Sequence, residues 1–173
     1  SEIKATSNTA RAYFAAANLF KHPHTVIWEY VTNEIQYREK GTKPEVHVII
    51  EEDKIIIKGN GEGMDVAGLK NFFTLHGENQ HRKEGKPGRG KHGTGKSAAF
   101  AIAEELLIST VKDKKLIEIK LSKKELKKFE KSGKDIPLND FFITKGKKVN
   151  NSNGTTIEIS KLNQQINRKE VIE

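Results

Sequence analysis

From His76 to Gly95 the sequence is polar, glycine-rich and basic, and nothing between His81 and Arg89 could form a buried strand. A compact fold has to be assembled around this stretch, because a loop of that length inside a domain is typically a working part such as a lid. The elements before it are short and legible. Ala10, Tyr13, Phe14, Ala17 and Phe20 recur at helical spacing and predict a helix over roughly Thr9 to Phe20. Pro23 marks a break; Thr25 can cap a second helix to about Lys40, with Gly41 as its stop. Glu45 to Glu51 and Lys54 to Lys58 are β-branched runs joined by Glu52-Asp53, which predicts a hairpin. After Gly59-Asn60-Gly61-Glu62-Gly63, a helix from Asp65 to about Leu75 turns Leu69, Phe72 and Phe73 inward.

Beyond the loop, Lys96 to Leu107 reads as an alanine-rich helix. Strands at Leu107 to Lys112 and Leu116 to Leu121 are joined by Asp113-Lys114. Ser122-Lys123-Lys124-Glu125 has the capping-box pattern and opens a short amphipathic helix. An irregular segment follows, then Gly154 and a last strand, Thr155 to Ser160. Leu162 to Glu173 reads as the start of another helix, so the expectation is the N-terminal part of a longer protein.

The 173 residues fit one domain, and 35% apolar content suffices for a core. There is no cysteine, which excludes disulfides and thiolate metal sites. No run is long enough to span a membrane, and the N-terminus lacks the layout of a secretion signal, so a cytoplasmic protein is expected. A formal charge of +8 favours anionic partners, whether nucleotides, nucleic acid or acidic proteins. One basic cluster, His81-Arg82-Lys83, Lys86, Arg89, Lys91 and Lys96, lies among the loop's glycines and suits phosphate. The other, Lys112 to Lys134, is interleaved with glutamates and reads as a solvated face.

Gly90-Lys91-His92-Gly93-Thr94-Gly95-Lys96-Ser97 satisfies G-x-x-x-x-G-K-[ST] without a mismatch. In a P-loop NTPase a buried strand precedes that string and aims it at the phosphates. Here the preceding residues are polar and glycine-rich, and no later apolar strand ends in an aspartate to hold magnesium. The P-loop fold is therefore rejected. The chemistry survives, since glycines expose backbone N–H groups to an anion.

Four segments in order resemble the ATPase superfamily of the gyrase B subunit, the large heat-shock chaperone, sensor histidine kinases and MutL, the GHKL or Bergerat-fold ATPases. Glu29-Tyr30-Val31-Thr32-Asn33 resembles its E-x-x-x-N helix. Residues four apart share a helix face, so Glu29 and Asn33 point together while Ile27, Tyr30, Val31 and Ile35 pack. The resemblance makes Asn33 the magnesium ligand and Glu29 the general base. Gly59-Asn60-Gly61-Glu62-Gly63-Met64 resembles the D-x-G-x-G-M box, whose aspartate accepts from the adenine amino group while Gly61, Gly63 and Met64 correspond to residues lining the base. The aspartate position holds Gly59, a departure worth roughly 1.5–3 kcal/mol of lost hydrogen bonding. Three explanations stand open: Asn60 supplies the acceptor, which is preferred; the nucleotide binds weakly; or Gly59 is a substitution made to disable binding.

The third segment, Gly90 to Phe100, resembles the chaperone's G-x-F-G-x-G-x-x-S-A-F and the gyrase L-H-G-x-G. By that resemblance Gly90, His92, Gly93, Thr94, Gly95, Lys96 and Ser97 surround the triphosphate, with Lys96 as the cation at its end and residues 76–95 as the ATP lid. The fourth, Gly154-Thr155, resembles a late Gly-Thr whose hydroxyl supports the adenine-side aspartate. The implied fold is α+β, a two-layer α/β sandwich with a mixed, mostly antiparallel sheet and helices on one face.

The implied function is Mg-ATP binding and hydrolysis coupled to closure of a homodimeric clamp, the segment before Pro23 being the candidate dimer contact. Partners beyond ATP would be nucleic acid or a client protein, reached through domains after residue 173, in a chaperone-like or DNA-acting protein. The alternatives are a regulatory nucleotide-binding module without turnover, suggested by Gly59, then a histidine kinase catalytic domain, and last a basic nucleic-acid-binding domain.

Overall fold

A computed structural model describes residues 22–73, 99–132 and 136–166. The expected helix at Thr9–Phe20, the loop at residues 76–95 and the final helix beyond residue 166 lie outside the described residues. Helix α1 spans Pro23–Gln36. It begins ahead of Thr25, because proline at the first helical position loses an N–H that has no intrahelical partner anyway. The turn closes on the His22 carbonyl, which accepts from Thr25 N at 3.1 Å and Val26 N at 3.3 Å. It also ends before Lys40. The Tyr37 carbonyl accepts the Glu62 N–H at 2.8 Å, drawing the chain out of the helix, and Gly41 takes a left-handed φ of 86° in the turn beyond.

The hairpin forms as predicted, with β1 at Val46–Ile50 and β2 at Lys54–Gly59. Helix α2 is Val66–Phe73 and buries Leu69, Phe72 and Phe73. Past the loop the first expectation is overturned. Residues 99–101 make a single turn, and Ala103–Leu107, expected to be helical, starts β3 (Ala103–Lys112). Its helix formers are overridden by pairing on both sides, Leu106 facing Leu121 on one flank and Ile159 on the other. Strand β4 is Lys115–Ser122, reached through Asp113 and Lys114 at φ 50° and 60°, the geometry of a two-residue hairpin turn. The serine half of the capping box forms: Ser122 Oγ accepts the Glu125 N–H at 3.1 Å at the start of α3, Lys123–Ser132. The segment expected to be irregular contains a short 3-10 turn, Leu138–Phe141, and a strand, β5, Phe142–Lys148. Strand β6 is Gly154–Leu162.

The six strands form one sheet in the order β1-β2-β6-β3-β4-β5, and all five pairings are antiparallel. This is the α+β sandwich that the resemblance implied, without a parallel pair among the described strands. The last strand in sequence lies in the middle, so its start is carried between β2 and β3. Inward side chains line up in rungs across the sheet. One reads Ile55–Ile159–Leu106–Leu121 and the next Ile57–Ile157–Ile108–Ile119. These pack with Val26, Ile27, Tyr30 and Val31 of α1, with α2 and with Leu126 of α3 in one buried cluster. The third rung, Gly59–Thr155–Thr110–Ile117, breaks the apolar pattern. Among the described residues, no helix is long and apolar enough to cross a membrane.

Candidate functional site

The polar rung is where the site begins. Thr110 and Thr155 are buried, with their hydroxyls 2.9 Å apart. The Met64 N–H donates to Thr110 Oγ1 at 2.9 Å, and the Gly154 carbonyl lies 3.4 Å from the same hydroxyl. Two hydroxyls inside a sheet core thus hold the loop after β2 on the end of the sheet. A buried backbone N–H needs such a partner, and an apolar residue at position 110 would leave it without one.

The loop is fixed at every step. The Asn60 side chain accepts the Glu45 N–H at 2.8 Å and donates to the Lys43 carbonyl at 2.9 Å, so both ends of its amide hold the segment leading into β1. Gly61 donates its N–H to Glu34 Oε1 at 2.6 Å, and Glu62 donates to the end of α1. Gly63 sits at φ 71° against the Val111 carbonyl, with no room for a Cβ. Only glycine meets both demands at that position. Met64 is half-buried against the core.

Glu29 and Asn33 share a face of α1 and are both half-buried. Asn33 Nδ2 is buried with no hydrogen-bond partner among the described residues. A buried amide without a partner is costly, which marks a position built for something further. Ile35 does not join the packing side as expected; it is 37% exposed. The inward stripe runs through Val26, Ile27, Tyr30 and Val31, and the next inward place, three and four residues on, is Glu34. Sequence reasoning passed over Glu34, although this spacing was the signal that could have found it. Burial raises the Glu34 carboxyl above the ordinary value of 4.5, partly offset by hydrogen bonds from the Gly61 and Thr155 N–H groups.

Glu29, Asn33, Asn60, Gly61, Gly63, Met64 and Thr155 are therefore all placed on α1, on the loop after β2 or at the start of β6. The Glu62–Tyr37 and Gly61–Glu34 bonds bring the loop against the end of α1. Gly90, His92, Gly93, Thr94, Gly95, Lys96 and Ser97 lie outside the described residues. The chain resumes at Ala99, whose N–H donates to the Tyr30 hydroxyl at 3.3 Å.

An antiparallel sheet under helices, with a polar-faced helix beside a glycine loop, is the two-layer α+β architecture that the superfamily resemblance implied. A comparison with protein-family models matches residues 21–158 to the histidine kinase-, DNA gyrase B- and HSP90-like ATPases, and the chain belongs to that family. A search of curated proteins finds no match.

Proposed function

We propose that this domain binds Mg-ATP across the face of α1 and hydrolyses it. The observation that carries the reading is the buried Asn33 Nδ2, without a hydrogen-bond partner among the described residues, one helical turn from Glu29 and two residues from the end of α1's buried stripe at Val31. Side-chain amide nitrogen and oxygen are assigned by their hydrogen bonds, so an amide whose nitrogen has no partner can be turned to present its oxygen to a cation. That fits magnesium, which keeps several waters and takes few protein ligands beside the nucleotide's phosphates. Bound there, the ion would neutralise negative charge on the phosphates. Glu29 orients the attacking water and accepts its proton, a role for which an ionised carboxylate is suited. The protein otherwise contributes position and exclusion of solvent.

The remaining parts of the reading follow the resemblance. By that resemblance Gly90, Gly93 and Gly95, outside the described residues, would meet the triphosphate with backbone N–H groups, Lys96 would meet its end, and residues 76–95 would serve as the lid. Closure couples to a homodimer clamp in a cytoplasmic, chaperone-like or DNA-acting protein. A regulatory module without turnover was suggested by Gly59, and the Glu34 carboxylate beside that glycine weighs against it. Titration calorimetry with ATP, with and without magnesium, and a phosphate-release assay test the proposal. Magnesium-dependent binding with steady phosphate release is expected. Binding without release would leave a nucleotide-binding module, and no binding would overturn the reading.

A further inference from the structure

The space beside Gly59 is already filled. A Cβ at Gly59 would overlap Glu34 Cγ and lie 2.6 Å from Cδ and 2.8 Å from Oε1. A Cβ at Gly61 would lie 2.5 Å from the same Oε1. Both glycines therefore make room for one side chain, which reaches over β2 from the last turn of α1. Its carboxylate takes the position that a side chain from residue 59 would otherwise occupy. It is held there by the Gly61 N–H at 2.6 Å and by the Thr155 N–H, from two separate elements. The polar rung Gly59–Thr155–Thr110 is the only interruption in the apolar face among the described rungs, and the carboxylate sits over it.

A carboxylate offers about four lone-pair positions, and two N–H groups leave acceptor capacity over. Among the described residues no lysine or arginine pairs with Glu34. Such a group repels phosphate and attracts a neutral N–H donor. Asn33, the adjacent residue, offers a neutral amide suited to the phosphate end. The two neighbours on α1 thus sort the ends of a nucleotide.

We propose that Glu34 is the base-reading residue of this domain, accepting a hydrogen bond from the exocyclic amino group of adenine, so that α1 supplies the carboxylate that position 59 lacks. This rests on the ATP reading above. A relocated carboxylate also explains why Asn60 can be committed to the Lys43–Glu45 backbone, since the base does not need it. Positions 34 and 59 then form an exchangeable pair: one must carry the carboxylate and the other must be small.

The test is nucleotide binding by calorimetry with the 173-residue chain, using ATP and inosine triphosphate, whose base has a carbonyl where adenine has the amino group. The wild type should prefer ATP. Glu34→Ala should lose about tenfold to a hundredfold in ATP affinity with little change for inosine triphosphate. Gly59→Asp alone should also weaken ATP binding, because two carboxylates compete for one space. The double variant Glu34→Ala/Gly59→Asp should recover most of the affinity and the preference for ATP. Circular dichroism melts check the fold, and the double variant keeps the test decisive if Glu34→Ala alone is unstable. Wild-type ATP binding that is indifferent to Glu34→Ala, or equal losses for both nucleotides with no recovery in the double variant, would overturn the role of Glu34. Absence of ATP binding by the wild type would instead overturn the reading of function itself.

Discussion

The Tyr30 hydroxyl accepts the N–H of Ala99 at 3.3 Å, joining the middle of α1 to the residue where the described chain resumes after the glycine-rich segment. Tyr30 is fully buried, and burial lifts its hydroxyl far above the ordinary tyrosine range, so it stays protonated. Tyr30→Phe keeps the ring and removes the acceptor, leaving a buried N–H without it. A loss of about 1–3 kcal/mol is expected, read as a lower midpoint in urea with an unchanged slope. A midpoint equal to wild type would show that the bond contributes nothing.

Glu29 and Asn33 carry different halves of the proposed chemistry, so their variants should separate. Glu29→Ala should keep ATP affinity while phosphate release falls by about a hundredfold or more. Asn33→Ala should lose the magnesium-dependent part of binding, measured by titration with and without the ion. Unchanged turnover in Glu29→Ala would remove that residue as the base.

Gly41 and Gly63 both hold left-handed backbone, yet their surroundings differ. Nothing lies within 4 Å of a Cβ at Gly41, whereas at Gly63 the Val111 carbonyl blocks it. Gly41→Ala should cost only the backbone term, about 1–2 kcal/mol. Gly63→Ala adds a clash that shifts the loop, and should cost clearly more and weaken nucleotide binding. Thermal unfolding of the pair, with ATP titration of each, decides it. Equal costs would mean the loop yields freely.

Glu34 should leave a signature in the pH dependence of stability. Its folded-state carboxyl titrates above the ordinary 4.5, so the native state holds this proton more tightly than the unfolded chain does. The contribution is complete below 4.5 and is lost as pH rises through the raised folded value. Denaturant unfolding of wild type and Glu34→Gln from acid to neutral pH isolates it, because other titrating groups are common to both. Wild-type stability relative to the variant should fall with rising pH; a rising difference would reverse the assigned shift.

What was legible in the sequence was local. The capping-box serine at Ser122 and the shared face of Glu29 and Asn33 depend on residues within a turn of one another, and the hairpin after Glu45 on two runs joined by a short turn. The superfamily pattern was legible as well, because its segments keep their order along the chain. Strand β5 was not. Its Lys- and Gly-rich sequence at the sheet edge exposes most of its side chains, so no alternating apolar pattern announces it. The start of β3 was misread for the opposite reason, since Ala103–Leu107 favours helix until two neighbouring strands claim its hydrogen bonds.

The sequence by itself determined the helix and hairpin ahead of the glycine loop, the turn between β3 and β4 beyond it, and the residue types of the candidate site. Tertiary structure alone decided what stands beside Gly59. Glu34 and Gly61 are 27 positions apart, and Glu34 and Thr155 more than a hundred. Placing the central strand last brings all three together. Local pattern cannot show that, because the distance between a helix end and a sheet rung is set by the packing of the whole core.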